Sequence, residues 1–223
     1  ATGTLSGSVN NAGSLIFNRA GNSAYAGALS GSGTLIKRNT GLVTVTGDGS
    51  FQRSVRVESG TLRFAPANRF QVSDSLITAG GATTSVAGAS QVNVAGTLVQ
   101  QPNAIFEASL DATRPAATAS TFSLAGTLNL SGAPGSASAI TRKLLTVLQS
   151  PNPAGISGDF TAFGLSNPAD YLVVSGAKAN NDSDYIVAFG LRWLMGLEQG
   201  NGTFTLLNPQ DIFNVDVALE DQS

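Results

Sequence analysis

The stretch Leu29–Phe64, LSGSGTLIKRNTGLVTVTGDGSFQRSVRVESGTLRF, constrains the fold more than any other part of this chain, because it is written as a repeat. Short runs of alternating apolar and polar residues are separated by Gly-Ser-Asp turns. In Gly41-Leu-Val-Thr-Val-Thr46 the inward candidates are Val43 and Val45, with Thr44 and Thr46 outward. In Ser54-Val-Arg-Val-Glu58 they are Val55 and Val57, with Arg56 and Glu58 outward. Period two is the spacing of a half-buried strand. A Gly-Thr/Ser-Leu step recurs at Gly3, Gly13, Gly33, Gly60, Gly96 and Gly126 and returns as Gly202-Thr203-Phe204. These intervals suit coils of roughly 20 to 30 residues. One coil cannot bury its own apolar face, so neighbours must stack. The expected fold is all-β: a right-handed parallel β-helix of about eight coils, roughly 4.8 Å apart, with a C-terminal hairpin-rich cap.

The chain is long enough to fill such a core, with 223 residues of which 42% are hydrophobic, and no stretch is long and apolar enough to cross a bilayer as a helix. Charged residues make up only 12% against 26 glycines, a balance that suits many tight turns better than helices laced with ion pairs. Cysteine is absent, which removes disulfide staples and thiolate metal sites. The start, Ala1-Thr-Gly-Thr-Leu5, has no apolar signal core, so any targeting sequence is expected upstream. The net charge of -2 is unevenly spread. Residues 1–69 carry seven basic and two acidic side chains, and residues from 170 onward two basic and eight acidic.

Residues 71 to about 165 continue the repeat in degenerate form, through Val92–Val99, Ala104–Leu110, Phe122–Leu130 and Lys143–Leu148. Asp111–Ser120 and Ser131–Ala139, rich in Ala, Ser, Thr, Pro and Gly, read as loops protruding from a rod. Ala137–Gln149, with Leu144, Leu145, Val147 and Leu148, admits a short amphipathic helix, but its flanking turns favour a strand. Pro151, Pro153 and Pro168 bracket a change of style. After Tyr171 the strands become longer and more aromatic, with turns at Asn180–Ser183, Gly200–Gly202 and Asn208-Pro209. The expected division is a stem over 1–170 and a capping segment over 171–223. An open β-helix ends in unpaired backbone over exposed core, so that end must be covered. Tyr171, Tyr185, Phe189, Trp193, Phe204 and Phe213 are the large side chains expected to form the cap's core.

There is no histidine, which removes histidine-dependent triads and imidazole metal sites. Neither a phosphate-cradling glycine loop nor a nucleophile elbow occurs, and Gly47-Asp-Gly-Ser50 reads as a turn. A glycoside hydrolase needs two carboxylates roughly 5 to 9.5 Å apart. Asp182 and Asp184 would face one side of a strand but sit in a turn signal, while Asp111 and Asp159 are isolated. No catalytic, cofactor or metal-binding residue is therefore assigned. Arg53, Arg56, Arg63 and Arg69 form a possible basic stripe. Without interleaved aromatics it suits sulfated glycans or lipopolysaccharide better than nucleic acid.

Several runs carry a family resemblance: Gly13-Ser-Leu-Ile-Phe-Asn-Arg19, Tyr25-Ala-Gly27, Leu29–Lys37, Val43-Thr-Val-Thr-Gly47 and Val57-Glu-Ser-Gly-Thr-Leu-Arg63. Together they resemble the autotransporter-associated β-strand repeat of Gram-negative surface proteins. That family usually continues its Thr-Gly step with an aromatic and Thr-Gly-Gly, whereas this chain has Ser50-Phe-Gln-Arg-Ser54. Tyr171–Gly176, Asp184–Trp193, Gly200–Leu206 and Phe213–Leu219 resemble the autochaperone at the passenger end of AIDA, antigen 43 and IcsA-like adhesins. The resemblance implies a non-catalytic, membrane-proximal passenger segment, secreted through the outer membrane to the cell surface. Its cap would template folding, and a linker helix and an outer-membrane β-barrel would follow as its partner. Freedom from cysteine fits a chain that threads a narrow pore unfolded. The alternatives are a rod that itself mediates adhesion or self-association, through host surface molecules or other copies, and a β-helical polysaccharide-degrading enzyme.

Overall fold

The computed structural model describes residues 5, 7–47, 49–51, 53–66, 69–109, 114–131, 143–165, 172–191, 196–198 and 204–206. Among these residues the chain is entirely strands and turns, wound as a β-solenoid with three faces. The first layer holds β1 (Val9–Asn10), β2 (Ser14–Asn18) and β3 (Ser23–Tyr25); the second holds β4 (Leu29–Ser30), β5 (Thr34–Arg38) and β6 (Leu42–Val45). The third holds β7 (Gly49–Phe51), β8 (Ser54–Val57) and β9 (Thr61–Phe64); the fourth holds β10 (Arg69–Val72), β11 (Ser75–Thr78) and β12 (Thr83–Val86). In the fifth and sixth layers the first two faces fuse into one long strand. These layers are β13 (Gln91–Gln100) with β14 (Ile105–Ser109), and β15 (Ala117–Leu124) with β16 (Thr127–Ser131). The last comprises β17 (Lys143–Gln149), β18 (Ile156–Gly158) and β19 (Ala162–Leu165).

Every contact between successive layers is parallel. Among the described residues the third face is a seven-stranded sheet, against the expected eight coils. The repeat lengthens along the chain: Leu15 pairs with Leu35, Leu76 with Leu98, and Phe122 only with Ile156.

Register converts the alternating pattern into columns. On the second face Leu35, Val55, Leu76, Leu98, Phe122 and Ile156 stand one above the other, all buried. On the third face Tyr25, Val45, Phe64, Val86, Ala108 and Leu130 do the same. Val43, Val45, Val55 and Val57 are inward as expected, and Arg56 is outward and exposed. Burial of each large aliphatic side chain stabilises the fold by about 1.5–3 kcal/mol, so the columns are the main cohesive element. The Gly-Thr/Ser-Leu steps mark two of the corners. Gly13, Gly33 and Gly96 lead into the second face, and Gly60 and Gly126 into the third. Gly3 and Gly202 lie outside the described residues.

Several polar groups enter the interior with a neighbour to answer them, although Gln100 Oε1 and Ser175 Oγ are buried without a hydrogen-bond partner among the described residues. Lys37 is fully buried between Phe17 and Val57 in its column. Its Nζ donates to the carbonyls of Arg38, Asn39 and Ser59 at 2.8, 2.5 and 3.1 Å. Burial pushes its pKa below the ordinary lysine value. Farther along the same column Gln100 Nε2 donates to Thr78 Oγ1 at 2.8 Å, which meets Thr84 Oγ1 at 2.7 Å.

One expectation needs correction. Asp111–Ser120 is not loop throughout, because Ala117 to Ser120 open β15 with Ala117 and Ala119 facing the core. Phe122–Leu130 continues the repeat as expected, as the end of β15 and the start of β16 joined at the Gly126 corner, where φ is 76°. Leu144 to Leu148 lie on a strand, β17, and not on a helix.

The first layer pairs on one side only among the described residues. Leu5 and Ile16 are 44% and 43% exposed there, beside a concavity of about 780 Å³ lined by Leu15, Phe17 and Tyr25. Tyr25 closes part of this end by donating its hydroxyl to the Gly7 carbonyl at 2.6 Å.

Candidate capping site

The opposite end is built differently. β20 (Leu172–Ala179) and β21 (Asp184–Leu191) form an antiparallel hairpin, in register from Leu172↔Leu191 to Ala179↔Asp184. β21 also pairs antiparallel with β17, from Lys143↔Phe189 to Gln149↔Asp184. On the first face the parallel regime therefore stops at β17, whose one edge meets β15 and whose other edge is taken by the hairpin.

The hairpin loop makes this placement specific. Asn180, Asn181 and Asp182 adopt φ of 51°, 55° and 54°, the left-handed region that Asn and Asp tolerate best among residues bearing a Cβ. That conformation turns three carbonyls toward the last layer. Ser150 donates its amide to the Ser183 carbonyl at 2.7 Å, Ala154 to Asn181 at 2.7 Å and Ile156 to Asp182 at 2.8 Å. The Asn180 side-chain amide donates to the Asp184 carboxylate, and Asp184 is itself buried. Asp182 instead sits 3.5 Å from Lys178. The two carboxylates thus have different partners, and only Asp182 belongs to the solvated turn.

Tyr185 carries the packing. Its ring is fully buried and meets Phe160 edge-on, with centroids 5.2 Å apart and planes at 89°. Its hydroxyl donates to Asp159 Oδ1 at 2.5 Å, an oxygen that also accepts the Phe160 amide at 2.8 Å. Burial first, then this bond and the charge of Asp159, hold the phenol protonated well above its ordinary range. Val187 is likewise fully buried, and Val174 packs on the same core. Gly176 permits the close approach: a Cβ there would lie 2.8 Å from both the Phe163 and Tyr185 rings.

Of the six expected cap residues, Tyr185 is the one whose side chain is described. Phe189 lies on β21 opposite Lys143 and Val174, and Phe204 on β23 (Phe204–Leu206), which pairs antiparallel with β22 (Gly196–Glu198). Tyr171, Trp193 and Phe213 lie outside the described residues. Periodicity gave no hint of Asp159 and Phe160, which belong to the turn before β19. Gly176 did carry a signal, since a glycine inside an alternating strand marks a close approach.

The four arginines do not share a face. Arg53 stands at the corner before β8 and Arg56 on β8 of the second face, Arg63 on β9 of the third, and Arg69 on β10 of the first. Arg56 sits 3.9 Å from Glu58, and Arg63 is 3.7 Å from Glu107. Among the described residues no group of three His, Cys, Asp or Glu side chains converges as a metal site. No family model matches this chain, and no curated protein matches it significantly.

Proposed function

We propose that this chain is a non-catalytic, membrane-proximal part of an autotransporter passenger, displayed on the surface of a Gram-negative bacterium. In this reading segment 171–223 acts as an autochaperone, and the partner is the chain's own outer-membrane β-barrel. The observation that carries it is the antiparallel hairpin β20–β21, laid on β17 with Tyr185 and Val187 sunk into the solenoid core. A hairpin pairs residues close in sequence and forms within microseconds, whereas solenoid layers pair residues about 20 or more apart, as Leu15 and Leu35 do. The locally folded element is thus the natural first platform. β17 docks on it, β15 on β17, and each completed layer presents the edge on which the next is laid. Folding outside the cell in this order would draw the chain outward.

The test is refolding of the full chain against a version ending at Asp170, followed by far-UV circular dichroism and limited proteolysis. Only the full chain is expected to regain a protease-resistant β structure at a practical rate. Equal refolding of the two would reduce the hairpin segment to a dispensable cover.

One observation favours a second reading, in which the rod itself mediates adhesion or self-association. Ser14, Thr34, Ser54, Ser75, Thr97 and Thr121 form an outward column of hydroxyls down the second face. Salt-sensitive aggregation of cells displaying the chain supports that reading, and salt-independent monomers at high concentration count against it.

A further inference from the structure

Where the first and second faces fuse, the surface of the solenoid becomes concave. In the fourth layer Ser73 and Asp74 turn the corner between β10 and β11; in the fifth and sixth β13 and β15 run straight through it. Their register shifts between Val94 and Thr97, so that Ala95 and Gly96 face Ser120 alone. This is a β-bulge, a feature that re-aims side chains and is over-represented beside binding sites. It is held by Ser120, whose hydroxyl donates to the Ala95 carbonyl at 2.5 Å. The Ser120 carbonyl in turn accepts Ser150 Oγ and Asn152 Nδ2, at 2.9 and 3.0 Å. The result is a groove of about 570 Å³, a volume typical of small-molecule sites.

The wall of this groove is a ladder of uncharged hydrogen-bonding side chains. Gln71, Asn93, Thr118 and Gln149 occupy the same outward position in four successive layers. At roughly 4.8 Å per layer the ladder runs for about 14 Å along the axis. Thr118 Oγ1 donates to Asn93 Oδ1 at 2.8 Å, which fixes that amide with its NH₂ turned away from Thr118. Gln71 and Gln149 are exposed, and neither side chain is tied to another described residue. Ser120, Ala95 and Pro151 form the adjoining small and apolar surface. None of the lining residues is charged or aromatic.

We infer that this groove binds a neutral oligosaccharide lying along the solenoid axis. Sugar hydroxyls each donate and accept, and side-chain amides offer both functions from one planar group, so a column of amides meets successive hydroxyl pairs with complementary partners. The absence of charge leaves nothing to neutralise a sulfate or uronate. A peptide strand is a poorer occupant, because both backbone edges of β15 are already paired and no apolar pocket is present to anchor its side chains. The lining holds no carboxylate, so the site binds without cleaving.

The experiment uses the full chain with neutral hexasaccharides of glucose, mannose and galactose, a heparin hexasaccharide as acidic probe and an extended peptide as the third class. Binding is read by saturation-transfer NMR and calorimetry at low and high salt. At least one neutral hexasaccharide is expected to bind with an affinity that salt leaves unchanged. Joint Gln71→Ala and Gln149→Ala substitution should weaken it about tenfold, the effect of losing two hydrogen bonds of ordinary net strength. Thr118→Val, which keeps the side-chain shape, should weaken it less, while Arg53→Ala with Arg56→Ala should not change it. Circular dichroism and protease resistance matching the parent confirm that the variants fold. Failure of every neutral probe, indifference to the groove substitutions, a preference for the peptide, or heparin binding lost in high salt would each overturn the assignment.

Discussion

The first and the last described layers of the solenoid meet their outer edges differently. In the first described layer β1, β2 and β3 have one edge unpaired among the described residues, and Leu15, at the foot of the Leu35 column, is only half-buried. At the C-terminal end a hairpin of reversed strand direction takes the edge of β17 and sends three loop carbonyls to the amides of the last layer. It also places Tyr185 over the last core positions. The contrast teaches that stacking has a direction. A parallel layer leaves behind another edge of its own kind, so repetition continues the solenoid but cannot end it. Termination needs an element with different pairing, and on the first face the hairpin supplies it, while among the described residues β18 and β19 pair with a strand on one side only.

The largest effect that tests this contrast is at the capped end. Tyr185→Ala removes a fully buried ring, its contact with Phe160 and its bond to Asp159, and should destabilise the chain by about 3–5 kcal/mol in urea unfolding. A loss under about 1 kcal/mol would mean that the hairpin rests on the solenoid without holding it.

A smaller effect compares one position in two layers. Gly13 and Gly33 occupy the same corner of the first and second layers. A Cβ on Gly33 would lie 2.4 Å from the Gly13 carbonyl oxygen and 2.5 Å from Asn11 Nδ2, while a Cβ on Gly13 meets nothing within 4 Å. Gly33→Ala should therefore cost about 1–3 kcal/mol through overpacking, and Gly13→Ala less than about 0.5 kcal/mol. Comparable losses in the two variants would show that the first layer is covered in solution and would erase the difference between the ends.

Much of this architecture was legible because strand burial repeats every two residues. Val43, Val45, Val55 and Val57 declare their inward side directly, and the Gly-Thr/Ser-Leu steps at Gly13, Gly33, Gly60, Gly96 and Gly126 mark corners. The pattern fades where small residues serve as core. Ala117 and Ala119 face inward, yet their Ala-Thr-Ala-Ser setting has the composition of a loop. Arg53, Arg56, Arg63 and Arg69 look like one stripe because they are close along the chain, but a coil of about 20 residues carries them around three faces. The cap's chemistry was least legible. Asp159 reads as isolated, since its partner Tyr185 lies 26 residues away in an element that pairs in the other direction.

The finest distinction between the ends is in their tyrosines. Burial raises the pKa of both Tyr25 and Tyr185, and for Tyr185 the bond to Asp159 and its charge add to the shift. A phenol whose folded pKa exceeds its unfolded value of about 10 contributes its full stability while both states keep the proton, that is below pH 10. Above that pH the unfolded chain gives up the proton and the folded chain holds it, so stability falls by about 1.4 kcal/mol per pH unit for each such group until the folded pKa is reached. Tyr185→Phe should lower stability near neutral pH by about 1–2 kcal/mol through the lost bond to Asp159. It should also flatten the alkaline decline. Tyr25→Phe should flatten it less, because that hydroxyl answers a backbone carbonyl, that of Gly7, and the shift there comes from burial alone. Urea titrations of the parent and both variants at neutral pH and just above pH 10 resolve the two slopes. An equal change in slope would mean that Tyr25 is enclosed as completely as Tyr185, and the N-terminal layer would then need a cover of its own.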